Sequence, residues 1–559
     1  MRPGTETVAR RPQRDAEVAQ PTATGGRGTT LTGTGALIRL AVRRDRVWLP
    51  AWVAVIALEL VATASAYDSL YPTAASRATL GPTIGHNASL LALYGPAFDL
   101  SSAGGFTAWR ILGFAAAFAG LMSLITVVRH TRGEEESGRL ELIRSGVVGR
   151  HAPLAAALAV TSLANLVLGM LVAAGLAALA TPVAGALATA AGLGLTGLVF
   201  TAVAGVTAQL TENARPATGL AAAALGAAYL LRAVGDSSGH GVLSWLSWIS
   251  PIGWAQQTRP YAGERWGVLV VPVVVAAVLG TAAVGLEGRR DFAGSLLRPR
   301  LGPARAPAQL ASPIGLAWRL ERGGFAAWAV GSALFAAAIG AVANGVLDLF
   351  RGNAALEQML QRMGGEQNLI DAFFATIMSL MAMVVTIHAV QLMLRLRAEE
   401  TGSHAEQVLA TAVSRRRFAV SHLGPALVGP LVLMALTGVA AGVPYAVISG
   451  NGGQVWRVLA SAVLFVPAMW VLVGAAMALI GLLPRFTTAA WALLAGFAVL
   501  GEIGPLLKLP TAVLKVSPYA NVPSLLADTV TWTPLIVLLG AAAVLTGVGL
   551  AAYDRRDIA

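Results

Sequence analysis

Runs of apolar residues, each about long enough to cross a lipid bilayer, recur from one end of the chain to the other. A bilayer core of about 30 Å requires roughly 20 apolar residues of helix. Of the 559 residues 56% are hydrophobic and only 12% are charged, whereas soluble domains carry about 25% charged residues. The sequence therefore predicts an all-α polytopic membrane protein of about 12 transmembrane helices. The predicted spans are 48–69, 107–128, 153–180, 183–208, 217–234, 267–287, 325–346, 372–394, 423–447, 457–482, 486–502 and 533–553.

The distribution of basic residues orients these spans. With the N-terminus inside, the segments placed in the cytoplasm hold 30 of the 40 Lys and Arg residues. Lys and Arg accumulate in cytoplasmic loops, so both termini are predicted to be cytoplasmic. In a soluble protein this excess of basic residues would suggest a nucleic-acid partner. Here the basic residues lie in loops between spans, where they determine the orientation of the protein in the membrane, and no nucleic-acid partner is expected. Abundant Arg, Ala and Gly indicate a bacterial source, so the expected location is the bacterial cytoplasmic (inner) membrane.

The chain repeats itself. Residues 129–150 read RHTRGEEESGRLELIRSGVVGR, and at an offset of 265 residues 394–415 read LRLRAEETGSHAEQVLATAVSR. GRRDF at 288–292 and DRRDI at 554–558 repeat near the end of each half. An even number of spans per half makes the two halves parallel. The predicted organisation is a disordered cytoplasmic tail (1–35), a first six-helix half (36–292), a cytoplasmic linker (293–312) and a second six-helix half (313–559).

The two matched charged segments join the second and third span of each half. Glu135 and Arg139 are four residues apart, which predicts an ion pair on one helical face. A solvated loop would explain the charge alone. Acidic residues contribute little to topology, yet they recur at matched positions, and a cytoplasmic protein partner explains that recurrence better.

The sequence here resembles a known family. TRGEEESGRLELIRSGVVGR at 131–150, the arginine-rich stretch before the first span, and RRD after the sixth are similar to ATP-binding-cassette (ABC) export permeases. Among these it most resembles fused twelve-span exporters of polyketide antibiotics, the tetronasin-type transport integral membrane proteins. SWISPIGWAQQTRPYAGERW at 247–266 fits the same likeness.

The resemblance implies that each charged segment is a coupling helix seated on a separate ATPase. The partner would be a homodimer of cytoplasmic ABC ATPase subunits, which would bind ATP and Mg. The residues implied in coupling are Arg132, Glu134, Glu135, Glu141 and Arg150 in the first half, and Arg397, Glu399, Glu400, Glu406 and Arg415 in the second. Truncating Glu135 and Glu400 would uncouple hydrolysis from transport and leave the fold intact. Stretches 36–47 and 313–324 would be interfacial helices.

A nucleotide site within this chain is excluded independently of that likeness. A P-loop needs Gly-Lys before Ser or Thr, because the lysine contacts the phosphates. The two lysines, Lys508 and Lys515, do not follow glycine. No cofactor or metal is expected in this chain, and the lack of cysteine removes thiolate chemistry. The chain is therefore predicted to be a transport subunit and not an enzyme.

Polar residues inside the spans are candidate contacts for a hydrophobic small-molecule substrate, because polar groups in lipid are costly. Glu59, near the middle of the first span, is the clearest. Its counterpart at an offset of 276 is Phe335, which predicts an asymmetric path. The other candidates are Asn165, Asn344, His388 and Gln391. Asn165 and Asn344 could instead join helices by hydrogen bonds.

Two other function classes stay open from the sequence. A proton-driven twelve-span secondary transporter would need a relay of buried carboxylates or histidines, and Glu59 alone is well placed for one. A membrane-embedded, lipid-linked glycosyltransferase would need external acidic residues to hold a metal. Asp68, Asp99, Asp236 and Glu264 are external but scattered. An ATP-driven exporter of hydrophobic natural products or drugs, associated with multidrug efflux and antibiotic resistance, remains the preferred prediction.

Overall fold

The computed structural model describes most of the chain as helix. The described residues are 30–78, 80–81, 88–238, 241–290, 294–297, 302, 304–348, 366–502, 510–523 and 532–556. Within these ranges there is no β-strand, and eleven helices are long and apolar enough to cross a membrane. The prediction of an all-helical, multi-pass membrane protein is therefore confirmed.

The first half begins with an amphipathic helix, α1, and continues through six long helices and several short ones. Its α-helices are α1 (Thr34–Arg44), α2 (Trp48–Leu70), α3 (Ala74–Ala78), α4 (Ala88–Tyr94), α5 (Ala103–His130), α6 (Arg132–Glu136), α7 (Arg139–Arg144), α8 (Ala152–Ala178), α9 (Val183–Leu210), α10 (Ala214–Ser237), α11 (Pro251–Gln257) and α12 (Val270–Arg289).

The second half has a similar order of long helices. Its α-helices are α13 (Pro313–Asp348), α14 (Glu366–Thr401), α15 (His404–Leu409), α16 (Arg415–Ser449), α17 (Gly453–Val463), α18 (Val466–Leu482), α19 (Ala489–Glu502), α20 (Thr511–Leu514) and α21 (Trp532–Arg555). In both halves a short charged loop joins the second long helix to the third. We call the end of each half that carries loop 131–151 or loop 402–414 the charged end, and the opposite end the far end.

Ten of the twelve predicted spans each match one long helix, and 457–482 matches α17 and α18, which together make one apolar helical stretch of 30 residues. The exception is 486–502, where α19 has 14 residues. At 1.5 Å per residue such a helix is about 21 Å long, which is shorter than the bilayer core of about 30 Å. Residues 503–509 lie outside the described part of the chain, so a twelfth span stays a prediction.

The described chain starts at Thr30, before the predicted boundary at residue 35. Residues 1–29 lie outside the described ranges, but Thr30 and Thr32 already pair with the charged loop. The Thr30 carbonyl accepts a hydrogen bond from the His151 amide at 3.0 Å, and the Thr32 carbonyl accepts one from the Gly149 amide at 2.9 Å. A side chain at Gly149 would overlap the Thr30 carbonyl. Glycine therefore permits this backbone contact.

The two stretches predicted to be interfacial helices differ from each other. In the first half α1 ends at Arg44, and residues 45–47 separate it from α2. In the second half the corresponding stretch, 313–324, is continuous with the long helix α13. The first-half break places the Asp45 carboxylate inside the protein, where it is 1% exposed.

Each half has its own hydrophobic core. The largest cluster of the first half draws on α2, α5, α8, α9 and α10, and its buried members all lie between Ala41 and Ala255. The two large clusters of the second half lie between Ala336 and Tyr553. Between the halves, α4 contacts α13. Separate cores allow each half to behave as one packed unit.

At the far end of the first half, the segment before the sixth long helix packs into the bundle. A 3₁₀ turn (Ser244–Ile249) leads to α11, which contacts α5, α9 and α10. Ser250 caps α11 by accepting a hydrogen bond from the Gly253 amide at 3.3 Å, and Pro251 follows at the first helical position. Serine at the N-cap and proline at the next position are favoured at helix starts. Ile252 and Ala255 are buried.

Tyr261 fixes this segment between two long helices. Its hydroxyl lies 3.1 Å from the Thr181 hydroxyl, and its ring lies where side chains at Gly104 and Gly185 would be. Tyr261 has a φ of 63°, a strained value for a residue with a bulky side chain. Burial raises the pKa of the Tyr261 phenol, so the hydroxyl stays protonated near neutral pH. Tight packing on both sides holds this conformation.

The packing around Tyr261 predicts that even one methyl group here destabilises the protein. Gly185→Ala should reduce the free energy of unfolding by about 1–3 kcal/mol, because overpacking displaces the ring. Gly219→Ala is the matched control, since its new methyl group would meet no atom within 4 Å and helix propensity favours alanine. Thermal unfolding of the purified protein measures both. Equal unfolding midpoints for the two variants would contradict tight packing of the Tyr261 ring against Gly185.

Candidate functional site

The Glu135 carboxylate of the first charged loop is held between two arginines. The Arg132 guanidinium donates to it at 2.6 Å, and Arg290, just beyond α12, donates through two nitrogens at 2.5 and 3.1 Å. All three side chains are at most 5% exposed. We call Arg132, Glu135 and Arg290 the first clamp. It joins the loop to the end of the sixth long helix.

The remaining N–H groups of the two clamp arginines bind the end of α9. Arg132 Nε donates to the Ala208 carbonyl, and Arg290 Nε donates to the Gln209 side chain at 2.7 Å. Both arginines also donate to the Gly294 carbonyl, at 3.0 and 3.2 Å. The last carbonyls of a helix lack partners within the helix and favour cations. The clamp therefore unites the loop with the ends of the fourth and sixth long helices.

The second half builds the same clamp from the matched residues. Arg397 donates to Glu400 at 2.6 Å, and Arg556 donates to both oxygens of Glu400 at 2.6 and 2.7 Å. Arg556 also donates to the Ile480 carbonyl at 2.6 Å, near the end of α18. The Glu400 side chain is 1% exposed. We call Arg397, Glu400 and Arg556 the second clamp.

A third matched arginine closes the end of the sixth long helix in each half. Arg150 donates to the carbonyls of Glu287 and Arg290 at 3.1 and 2.9 Å. Arg415 donates to the Arg556 carbonyl at 2.8 Å. Both arginines lie at the start of the third long helix of their half. The same three helix ends are thus joined twice in the molecule.

Glu134 and its neighbours tie the first charged loop to α1. The Glu134 carboxylate pairs with Arg44 of α1 and lies 3.7 Å from Arg139. Asp45 pairs with Arg129 and, at 2.5 Å, with His130 at the end of α5.

The predicted pair of Glu135 with Arg139 is wrong. The helix ends at Glu136, and Gly138 takes a left-handed φ of 69°, so the two side chains lie on different helices.

The second half has related ion pairs. Arg395, near the end of α14, pairs with Glu321 of α13 and lies 3.3 Å from Glu399. His404 lies 3.4 Å from the other oxygen of Glu399. At the offsets of the repeat, Glu321 matches Asp45 and Arg395 matches His130. In both halves a carboxylate near the first long helix therefore holds the end of the second.

Of the glutamates that match between the two charged loops, one in each loop is exposed to solvent. Glu141 and Glu406 are both exposed, on α7 and α15. Beside Glu141, the apolar side chains of Leu142 and Val147 are 77% and 87% exposed. An exposed carboxylate next to exposed apolar side chains can contact another protein directly, whereas the clamp carboxylates cannot.

Sequence analysis missed the clamp partners Arg290 and Arg556, and also Asp45 and Glu321. The repeated GRRDF and DRRDI segments carried the signal for the two arginines. The predicted residues Arg132, Glu135 and Arg150 lie together, as do Arg397, Glu400 and Arg415. Their burial changes one expectation: since the clamp carboxylates are buried against arginines, we expect that removing them destabilises the fold.

Within the membrane, Glu59 lines a cavity of about 620 Å³ between α2 and α5. The side chain of Glu59 is exposed to this space. Its wall is otherwise apolar and includes Trp48, Trp52, Phe114 and Phe118. Glu59, the clearest candidate contact from the sequence, therefore lies on a cavity wall.

The other substrate-path candidates do not join Glu59. Asn165 donates to the Ser123 hydroxyl of α5 at 2.8 Å, which is a contact between helices. His388 is buried and stacks on Trp328 with ring centroids 5.5 Å apart. Gln391 is exposed on α14. Asn344 lies on α13, and its side chain is outside the described part of the structure.

The scattered acidic residues at the far end each have a local partner. Asp68 pairs with Arg77 at 2.8 Å, and Asp99 accepts a hydrogen bond from the Ser101 hydroxyl at 2.6 Å. Asp236 accepts one from Ser247 at 2.5 Å, and Glu264 accepts one from the Tyr261 amide at 3.2 Å. Within the described ranges, no group of three or more His, Asp or Glu side chains is arranged to hold a metal ion.

The clamp geometry predicts a large difference between buried and exposed glutamates. Glu135→Gln leaves the Arg132 and Arg290 guanidinium groups buried without a counter-charge, and should reduce the free energy of unfolding by about 3–5 kcal/mol. Glu141→Gln, the exposed control in the same loop, should change it by less than about 0.5 kcal/mol. Denaturant unfolding of the purified protein measures both.

A double-mutant cycle tests whether the partners act together. Arg290→Gln should be less costly in the Glu135→Gln background than in the native protein, because the pair is already broken. Additive losses would show that the carboxylate and the guanidinium stabilise the protein independently, against the clamp.

Comparison with known proteins identifies a family for this chain. Residues 310–554 match the family described as "Multidrug efflux system permease Rv1217c, C-terminal domain". The chain is 42% identical over 534 residues to the multidrug efflux system permease protein Rv1217c of Mycobacterium tuberculosis (strain ATCC 25618 / H37Rv). That alignment covers 95% of this chain and 96% of the relative. The chain therefore belongs to the family of the multidrug efflux system permease protein Rv1217c.

Proposed function

We propose that this chain is the membrane subunit of an ATP-driven ABC exporter that moves hydrophobic drugs or natural products out of a bacterial cell. The relative named as a multidrug efflux permease supports export and a transport role. The observation that carries the ATP-driven mechanism is the doubled charged end. Two loops with the same internal clamp each present an exposed glutamate at a matched position, Glu141 and Glu406.

Two equivalent surfaces suit a partner that itself has two equivalent subunits. The proposed partner is a homodimer of a cytoplasmic ABC ATPase, which binds ATP and Mg and supplies the hydrolysis. The absence of a Gly-Lys pair in this sequence is consistent with that division of labour. The charged end would then lie in the cytoplasm, with both termini, as the basic residues predict.

The clamps give each loop a route for transmitting movement. A push on the loop acts on a carboxylate that is bound to the end of the sixth long helix and lies against the end of the fourth. These contacts are buried and charged, so breaking them is costly. We infer that the helix ends follow the loop, and that alternating access to the path between the halves results from tilting each half as a unit.

The proposed cargo is hydrophobic. The membrane cavity beside Glu59 has an almost wholly apolar wall, which suits ligands that partition into lipid. The family resemblance adds polyketide antibiotics and ionophores as a cargo class. Membrane lipid surrounds the chain and is the phase from which such molecules would enter.

The proposal predicts that removing the exposed glutamates weakens the coupling of ATP hydrolysis to efflux without destabilising the protein. Glu141→Ala combined with Glu406→Ala should leave thermal stability unchanged and lower ATP-dependent efflux by about tenfold, equivalent to about 1.4 kcal/mol of lost coupling. Efflux of a fluorescent hydrophobic dye and ATP hydrolysis are measured on the complex with its ATPase in proteoliposomes. Asp68→Asn, whose side chain is 79% exposed at the far end, is the matched control.

Full efflux by the double variant would remove these residues from the partner surface. Efflux that survives ATP depletion but stops with a protonophore would replace the ATP-driven mechanism with the proton-driven one. Loss of efflux in the Asp68→Asn control as well would show that the effect does not depend on the charged end.

A further inference from the structure

The cavity between α2 and α5 combines aromatic rings with a single carboxylate. Trp48 and Trp52 have ring centroids 5.8 Å apart, and Trp52 and Phe118 have centroids 6.5 Å apart. Phe114 extends the same wall. The faces of aromatic rings attract cations. A volume of about 620 Å³ lies in the range of roughly 300–1,000 Å³ typical of sites for drug-sized ligands.

Among the described residues, none forms a hydrogen bond or ion pair with the Glu59 carboxylate. It is the one charged group in the lining of this cavity. It lies at the midpoint of Trp48–Leu70, about 16 Å of helix from either end at 1.5 Å per residue. A carboxylate at that depth is costly and typically serves function.

A second-half cavity that also has an aromatic wall, at a different place in the repeat, differs in this respect. It has a volume of about 420 Å³ and is lined by Trp318, Phe325 and His388 among others. Its carboxylate, Glu321, is already paired with Arg395. At the position matching Glu59 stands Phe335. A carboxyl group that has no partner among the described residues, beside aromatic rings, therefore distinguishes the first-half cavity.

We propose that this cavity binds hydrophobic monocations, with Glu59 as the counter-ion and the aromatic wall as the contact surface. The assignment rests on the proposed export function and narrows its cargo to molecules that carry a positive charge. The depth of Glu59 excludes the headgroup amine of a lipid as the occupant, because that amine would have to leave the membrane surface and cross about 16 Å of apolar core. A cation with its charge shielded by apolar groups can reach this depth.

Two probes of the same shape and opposite charge test the proposal: tetraphenylphosphonium and tetraphenylborate. Binding is measured by equilibrium dialysis on the purified full-length chain in lipid nanodiscs, without the ATPase, so the result does not depend on transport. The native chain should bind tetraphenylphosphonium saturably. Glu59→Gln should weaken that binding at least tenfold, and Trp52→Leu should weaken it several-fold. Neither loss should appear for tetraphenylborate.

Matched variants separate charge from packing. Glu59→Asp keeps the charge and should retain tetraphenylphosphonium binding to within about threefold. Asp68→Asn removes a carboxylate from the same helix outside the cavity and should leave binding unchanged. Equal affinity of the native and Glu59→Gln chains for tetraphenylphosphonium, or native affinity for tetraphenylborate as high as for the cation, would overturn the site.

The outcomes for the site and for the exporter are distinguishable. Charge-selective binding that needs Glu59, in a chain whose efflux is independent of ATP, would keep the cation site and overturn the ATP-driven mechanism. ATP-dependent efflux of tetraphenylphosphonium that Glu59→Gln does not alter would keep the exporter and overturn the site.

Discussion

The buried carboxylate of Glu135, held by Arg132 and Arg290, is the contact on which the charged end of the first half depends. Three charged groups out of water are unfavourable unless each is neutralised and hydrogen-bonded. The clamp meets both conditions by drawing on a helix C-terminus for its remaining acceptors. Such an arrangement allows few alternatives, so it fixes the position of the loop relative to the fourth and sixth long helices.

The same chemistry in the second half, centred on Glu400, shows that the repeat is a repeat of contacts as well as of residues. Each clamp lies within one half, and the large hydrophobic clusters also stay within their halves. Strong internal ties and separate cores are the conditions under which two halves can tilt as units. The charged end is where a tilting force can be applied without breaking a half apart.

How much of this could be read from the sequence depends on the distance between partners. Eleven spans followed from apolar length alone, and the offset of 265 identified Glu135 and Glu400 as equivalent. The sequence could not show that these glutamates are buried, because their neutralising partners Arg290 and Arg556 lie about 155 residues further along the chain. A local view of a charged loop favours solvent exposure. Likewise, the pair of Glu135 with Arg139 assumed a continuous helix, which the left-handed Gly138 interrupts.

The symmetry of the molecule changes between its charged end and its membrane interior. At the charged end the clamp residues match position by position, while in the membrane Glu59 corresponds in sequence to Phe335 of the second half. The packing of Tyr261 against Gly104 and Gly185 at the far end also belongs to the first half. A partner with two equal subunits requires two equal surfaces, whereas a cargo molecule has no such symmetry and needs one site. The position of the symmetric residues therefore corresponds to the proposed partner, and the loss of symmetry at Glu59 corresponds to the proposed cargo.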